Sequence, residues 1–133
     1  MGIYNGTSKT LNYDPVGRLD SVQYNTGRIN TLVYDANNNV TSLSRTRPGE
    51  ESTNLTLGYD TLDRLISSQD TFSQTVGYTY DALGRITAKT YPGGKVLNQA
   101  YDRLGRLKGQ DFVFSAEKTF STTYTHDKAG RLT

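Results

Sequence analysis

The chain contains no cysteine and no tryptophan, and only one methionine and one histidine among 133 residues. Without cysteine, disulfides and thiolate metal sites are excluded. That absence does not fix the compartment, because many exported bacterial proteins also lack it. The single histidine, His126, leaves little from which to build a catalytic triad, and no Ser has a nucleophile motif around it. There is no run of like charge. Lys and Arg are dispersed and the net charge is only +2, too small to indicate nucleic acid or an anionic membrane as a partner. No apolar run approaches the length of a membrane span. Met1-Gly2-Ile3-Tyr4-Asn5 is not a signal peptide, so an export address, if there is one, lies elsewhere or has been removed. Aliphatic residues are scarce too: Leu, Val, Ile and Phe together make about a fifth of the chain, close to the level at which disorder becomes a concern.

Tyrosine makes up the difference, with ten against four Phe. A tyrosine buries a large ring while its hydroxyl needs water or a partner, so the interior is expected to be thin and half-wet.

The tyrosines recur in a pattern. Aligned on one aspartate, the chain reads Tyr13-Asp14-Pro15-Val16-Gly17-Arg18-Leu19, then Tyr34-Asp35-Ala36-Asn37-Asn38-Asn39-Val40, then Tyr59-Asp60-Thr61-Leu62-Asp63-Arg64-Leu65. Tyr80-Asp81-Ala82-Leu83-Gly84-Arg85-Ile86, Tyr101-Asp102-Arg103-Leu104-Gly105-Arg106-Leu107 and His126-Asp127-Lys128-Ala129-Gly130-Arg131-Leu132 follow. The aspartates are 21, 25, 21, 21 and 25 residues apart. Six internal repeats of this length denote a quasi-one-dimensional array.

Each column has a physical meaning. Asp followed three residues later by Gly is the composition of a type I turn, in which the carboxylate accepts from nearby backbone N–H groups and the last position takes a positive φ. Where Gly is missing, Asn38 and Asp63 stand in, the non-glycine types that best tolerate that region. Pro15 occupies the position whose φ it already satisfies. Such a turn commonly closes a β-hairpin with a bulge. The flanks read as strands, with Leu11/Tyr13, Leu32/Tyr34, Leu57/Tyr59 and Tyr78/Tyr80 alternating onto one face. After the turn, Leu19, Val40, Leu65, Ile86 and Leu107 are followed two residues on by Ser21, Ser42, Ser67, Ala88 and Gly109, which simple alternation places on the same face. Second turns are expected at 25–27, 48–50, 72–74, 92–94 and 115–117. The four extra residues of the longer repeats, split two per strand, would leave every side chain on its face.

The fold class is therefore all-β: an antiparallel meander of tandem β-hairpin repeats, about 12 strands of about eight residues. At about 4.8 Å per strand the sheet would be some 55 Å wide, and twisted sheets of that width curl, close or find a second layer. A barrel-like or spiralling sheet is expected, with residues 1–10 an N-terminal strand or leader and residues 11–133 a single repeat domain.

Tyr-Asp-x-x-Gly-Arg-Leu at a period near 21 resembles the YD repeat of the RHS (rearrangement hot spot) family, which includes polymorphic toxins, insecticidal toxin complexes, wall-associated proteins and teneurins. The resemblance covers about residues 11–133. It implies a β-ribbon spiralling into a shell that encapsulates or scaffolds a toxin or effector, in a secreted or cell-surface protein of bacterial type. Asn38-Asn39-Val40, Asp63 and His126 depart from the pattern. Family shells use many more than six repeats, and the chain stops at Arg131-Leu132-Thr133 as a strand begins, so a segment of a longer chain is expected. The self-cleaving Asp-Pro-x-Gly-Leu motif of the family is absent. Asp14-Pro15-Val16-Gly17-Arg18 comes near it but reads as an ordinary repeat turn.

The expected site residues are accordingly structural: Tyr13, Asp14, Gly17, Arg18, Tyr34, Asp35, Asn38, Tyr59, Asp60, Asp63, Arg64, Tyr80, Asp81, Gly84, Arg85, Tyr101, Asp102, Gly105, Arg106, Asp127, Gly130 and Arg131, with His126 a structural ring in the Tyr column. No catalytic residue, cofactor or metal site is expected. Asp35-Ala36-Asn37-Asn38-Asn39 opens like a calcium loop, but Val40 stands where its Gly belongs and Thr46 where its Glu belongs. Gly93-Gly94-Lys95-Val96 lacks the upstream Gly and the Ser/Thr of a P-loop. Sequons at Asn5, Asn39 and Asn54 have meaning only in a eukaryotic secretory pathway. The Arg column reads as a ladder packed over Tyr or paired with Asp; its rival is a basic stripe for an anionic cargo or glycan. The Tyr ladder divides likewise between stacking core and sugar platform, so a carbohydrate- or surface-binding adhesion module is the alternative function. Expected partners are other repeats of a parent chain, or a second copy, through the open sheet edges, and an enclosed toxin or a glycan; no nucleic acid or membrane.

Overall fold

The structure is a computed structural model that describes Gly6 and residues 8–133. Most of the expected N-terminal strand or leader, and Asn5 and Thr7 of the first sequon, lie outside the described residues.

Eleven antiparallel strands form one sheet in which sequence order is spatial order. They are β1 (Lys9–Tyr13), β2 (Leu19–Tyr24), β3 (Ile29–Tyr34), β4 (Val40–Thr46), β5 (Thr53–Tyr59), β6 (Leu65–Asp70), β7 (Thr75–Tyr80), β8 (Ile86–Thr90), β9 (Val96–Tyr101), β10 (Leu107–Ser115) and β11 (Lys118–Thr123). Strands run five to nine residues, shorter than the eight expected on average. The twelfth is reduced to one bridge, His126 with Leu132. Five turns fall where expected on the rim opposite the Tyr-Asp turns, one of them a single 3-10 turn at Pro92–Gly94. In the first long repeat the extra residues lengthen β4 and β5 to seven and open a loop over 47–52; in the second they extend β10 to nine.

The sheet is open. β1 and β11 each have one neighbour, so the barrel-like closure expected from its width does not occur. Parity supplies a reason: with eleven strands, β1 and β11 point the same way, and closing the meander would force one parallel seam into an antiparallel sheet.

A bulge corrects the expected faces. In all five complete Tyr-Asp hairpins the register slips just after the turn: Tyr13 opposes Leu19, yet Asn12 opposes Ser21. The same slip occurs at Tyr34/Val40, Tyr59/Leu65, Tyr80/Ile86 and Tyr101/Leu107. The extra residue inverts parity, so Ser21, Ser42, Ser67, Ala88 and Gly109 face away from the aliphatic residues two before them, not with them. Cross-strand partners share a face. One face thereby collects Leu11, Val22, Leu32, Leu43, Leu55 and the Tyr column, while the other collects Ser, Thr, Asn and Gly. No described residue is fully buried on either. The thin, half-wet interior expected from the tyrosine content is one apolar face of a single layer.

Three of the pairings between hairpins, β2–β3, β6–β7 and β8–β9, are shorter than any within a hairpin, whereas β10–β11 is as long as the longest. β2 pairs with β3 only over Ser21–Gln23 and Ile29–Thr31, and β6 with β7 only over Ser67–Gln69 and Thr75–Gly77. Toward the Tyr-Asp turns, neighbouring hairpins lose their ladder.

Candidate functional site: the row of Tyr-Asp turns

All six turns lie along one rim, and each closes in the same way. The Asp backbone N–H donates to the carbonyl of the residue four on at 2.8–3.0 Å, and the residue three on donates to the Asp carbonyl at 2.9–3.3 Å. Asp Oδ1 accepts from the backbone N–H four on, as from Arg18 at 2.8 Å and Arg85 at 3.0 Å. In the first five turns it also accepts from the residue two on. Gly17, Gly84, Gly105 and Gly130 take φ of 79–86°, and Asn38 and Asp63 take 69° and 58°. At such angles an L side chain is strained.

Asp Oδ2 binds the arginine of its own turn. Arg18, Arg64, Arg85, Arg106 and Arg131 donate through Nε at 2.6–2.7 Å. All six turn aspartates are held below the ordinary carboxylate value. At Asp14, Asp81, Asp102 and Asp127 the chief cause is the backbone N–H of the arginine four on, and at Asp60 it is the Arg64 side chain. At Asp35, burial is the largest influence and acts upward, but the Asn39 and Asn37 bonds together outweigh it.

The same arginines reach the next repeat. Arg18 stacks over Tyr34 at 4.6 Å, Arg64 over Tyr80 at 4.7 Å and Arg85 over Tyr101 at 4.6 Å. Arg18, Arg64 and Arg106 also donate to the next turn's Asp carbonyl at 3.0–3.3 Å. Each stacked tyrosine in turn donates its hydroxyl backwards: Tyr34 to the Leu19 carbonyl at 2.8 Å, Tyr80 to Leu65 at 2.7 Å and Tyr101 to Ile86 at 2.9 Å. Tyr59 does the same to Val40 at 3.0 Å. These carbonyls sit where the inter-hairpin ladder has stopped, so the tyrosine replaces a missing backbone bond.

The joint between the second and third repeats is built differently. Asn39 replaces Arg, and no cation stacks on Tyr59 among the described residues. Asp63, in the Gly column of the next turn, accepts from Asn37 at 2.9 Å and from Asn39 at 2.7 Å. Asn38 likewise accepts from Arg18 at 2.8 Å. Both non-glycine residues at positive φ in the Tyr-Asp turns therefore face back to the preceding turn. Sequence reasoning placed them in the turn but missed Arg18 as the partner of Asn38 and Asn37 and Asn39 as the partners of Asp63. The signal available was that the Arg and Gly columns fail in adjacent repeats. At the last joint His126 replaces Tyr, and Tyr124 bonds Gln110 instead. Arg131 is exposed, with no later tyrosine to cover it among the described residues. Tyr13, at the other end, is also exposed.

Sequence reasoning also missed the opposite rim's use of the same turn, at Asp70-Thr71-Phe72-Ser73-Gln74, and an aromatic chain from Tyr91 through Phe112 and Phe114 to Phe120. Among the described residues no group of three or more His, Cys, Asp or Glu could hold a metal. Among the described residues no helix is long and apolar enough to cross a membrane. The depressions in the surface are shallow and open, the one beside Leu43, Leu55 and Phe72 enclosing about 290 Å³.

The RHS repeat family profile matches residues 59–96, which hold the third and fourth turns. This stretch of the chain is an RHS repeat. Among solved structures, it is similar to TcdB2-TccC3 without its hypervariable C-terminal region, with a TM-score of 0.83 at 18% identity over 95% of this chain and 7% of that one. It also matches TcdB2-TccC3-Cdc42 at 17% identity and TM-score 0.49, and the Photorhabdus luminescens Tc holotoxin pore carrying the TccC3 D651A mutation at 17% and 0.49, covering 9% of each. Only the first of these carries weight for the fold. The chain thus spans a small part of the protein whose fold it shares. No curated protein matches it.

Proposed function

We propose that these RHS repeats, residues 11–133, are a structural block of a β-shell that encapsulates or scaffolds a toxin or effector in a secreted or cell-surface protein, with no enzymatic activity of their own. One observation carries this reading: the groups capable of chemistry in the repeat are consumed in holding neighbours together. Each Asp carboxylate is spent on its turn, three arginines stack on the following tyrosine, and four tyrosine hydroxyls close backbone carbonyls. The same engagement weighs against the adhesive alternative, because an arginine covers the ring face that a sugar would use at Tyr34, Tyr80 and Tyr101. The partners are further repeats at the open edges, β1 and β11, and an enclosed polypeptide.

The test is the intact mass and proteolytic pattern of the native polypeptide carrying this sequence. A product several times 14.8 kDa, in which a second segment is protected from protease until the repeats unfold, is expected. A native product of 14.8 kDa with no protected segment would overturn the proposal. Saturable, specific binding on a glycan array would favour the adhesive alternative.

A further inference from the structure

The outermost position of each Tyr-Asp turn is occupied by Val16, Asn37, Leu62, Leu83, Leu104 and Ala129 in order. At this position only the backbone N–H is used by the turn, so any residue serves and polar ones are usual. Yet Val16, Leu62, Leu83 and Leu104 are 71–78% exposed. Nothing within the sheet accounts for them. Leu62, Leu83 and Leu104 are consecutive, and because each hairpin contributes two strands, they repeat at roughly 9.6 Å along the rim.

Charge along the same rim is ordered. Counting each seven-residue motif from its Tyr or His to its last aliphatic residue, the second and third carry −1 each, the fourth is neutral, and the fifth and sixth carry +1 each. The excess negative groups are Asp35 and Asp63, and the excess positive ones are Arg103 and Lys128. The first motif is neutral, and the second to sixth are antisymmetric about the fourth turn, where Leu83 sits.

We propose that this rim binds the same rim of a second copy of the chain, antiparallel, about a twofold axis through Leu83. The twofold places Leu62 of one copy against Leu104 of the other and Leu83 against Leu83, so that the two rows of aliphatic tips meet side chain to side chain. It also sets the negative third turn opposite the positive fifth, and the second opposite the sixth. A self-complementary patch of this kind forms a closed dimer, with charge selecting the register and apolar burial supplying the affinity. The pairing uses turn tips rather than sheet edges and does not depend on whether the repeats belong to a shell.

The chain has no cysteine, so single thiols report the register directly. Under mild oxidation, Leu83→Cys is expected to form a disulfide-linked dimer by itself. Leu62→Cys and Leu104→Cys are each expected to form no intermolecular disulfide alone and to cross-link when mixed. Equal cross-linking at all three positions, or none, overturns the proposed register. In sedimentation equilibrium, Leu83→Lys is expected to weaken the dimer at least tenfold, since it sets like charges face to face, while leaving the circular dichroism spectrum unchanged. A wild-type chain that stays monomeric at high concentration, or a Leu83→Lys variant that dimerises as wild type, overturns the dimer itself.

Discussion

Replacing Tyr80 by Phe removes one atom and should measure what holds adjacent repeats together. The hydroxyl donates to the Leu65 carbonyl at 2.7 Å, at a place where β6 and β7 are no longer paired. The ring, and Arg64 stacked on it at 4.7 Å, should remain in place. A net intramolecular hydrogen bond is worth about 0.5–1.5 kcal/mol, and an acceptor left dry would cost more. Because the site is half-buried, water can reach the orphaned carbonyl, which favours a loss of about 1 kcal/mol. With a melting entropy of about 2.1 cal/mol/K per residue, such a loss lowers Tm by roughly 3–4 °C for a chain of this length. Tyr13→Phe is the control: same column, same turn, but no hydroxyl partner among the described residues, and no change in Tm is expected. Thermal melts followed by circular dichroism at one protein concentration decide it. If Tyr80→Phe and Tyr13→Phe melt together with wild type, the hydroxyls do not hold the joints.

Two further outcomes follow from the same geometry. The turn aspartates have depressed pKa values in the folded chain, so their contribution to stability is fully present above the ordinary carboxylate value of 3.8 and is lost as pH falls below it through the depressed values; urea midpoints should be flat from pH 7 to about 5 and decline steeply below about 4. Asp63→Gly restores the usual turn residue and removes backbone strain of order 1 kcal/mol, but it also removes the acceptor for Asn37 and Asn39, so no gain in stability is expected from it alone. Combined with Asn39→Arg, which supplies the missing stack on Tyr59, it should stabilise, and the double-mutant cycle should show coupling of at least about 0.5 kcal/mol; strict additivity would refute the link.

The turns were legible in the sequence because their constraints are local. Asp, the positive-φ residue and Arg lie within five positions, and each residue type states its own reason for being there. Strand order was legible because 21-residue spacings leave no room for anything but adjacent hairpins. The faces were not. Simple alternation carries Leu19 to Ser21, whereas the structure inserts a bulge that carries it to Val22 and Tyr24. The clue was in the spacing of Leu19, Val22 and Tyr24, and of Val40 and Leu43, where an apolar step of three interrupts the steps of two. The joints were invisible for a different reason. An arginine reaching Tyr34 from position 18, or an asparagine reaching Asp63 from position 39, spans a whole repeat, and no column read by itself contains that contact.

The Asn39 and Asp63 pair shows what this implies for the array. A consensus view treats each as a defect in its own repeat: a lost arginine in the second and a lost glycine in the third. Physically the two form one substitution that straddles a joint. Losing Arg at a turn deprives the next turn of its cross-link, and an acidic side chain at positive φ, though strained, points back to the amides left behind. Since no described residue is fully buried, a repeat has no core of its own, and the contacts between one turn and the next add to what each hairpin supplies. The unit on which sequence change acts is therefore the joint. Exchanging the second repeat for a copy of the fourth would place Arg rather than Asn39 beside Asp63, so the change is felt at the neighbour's turn although the transplanted repeat is itself unaltered.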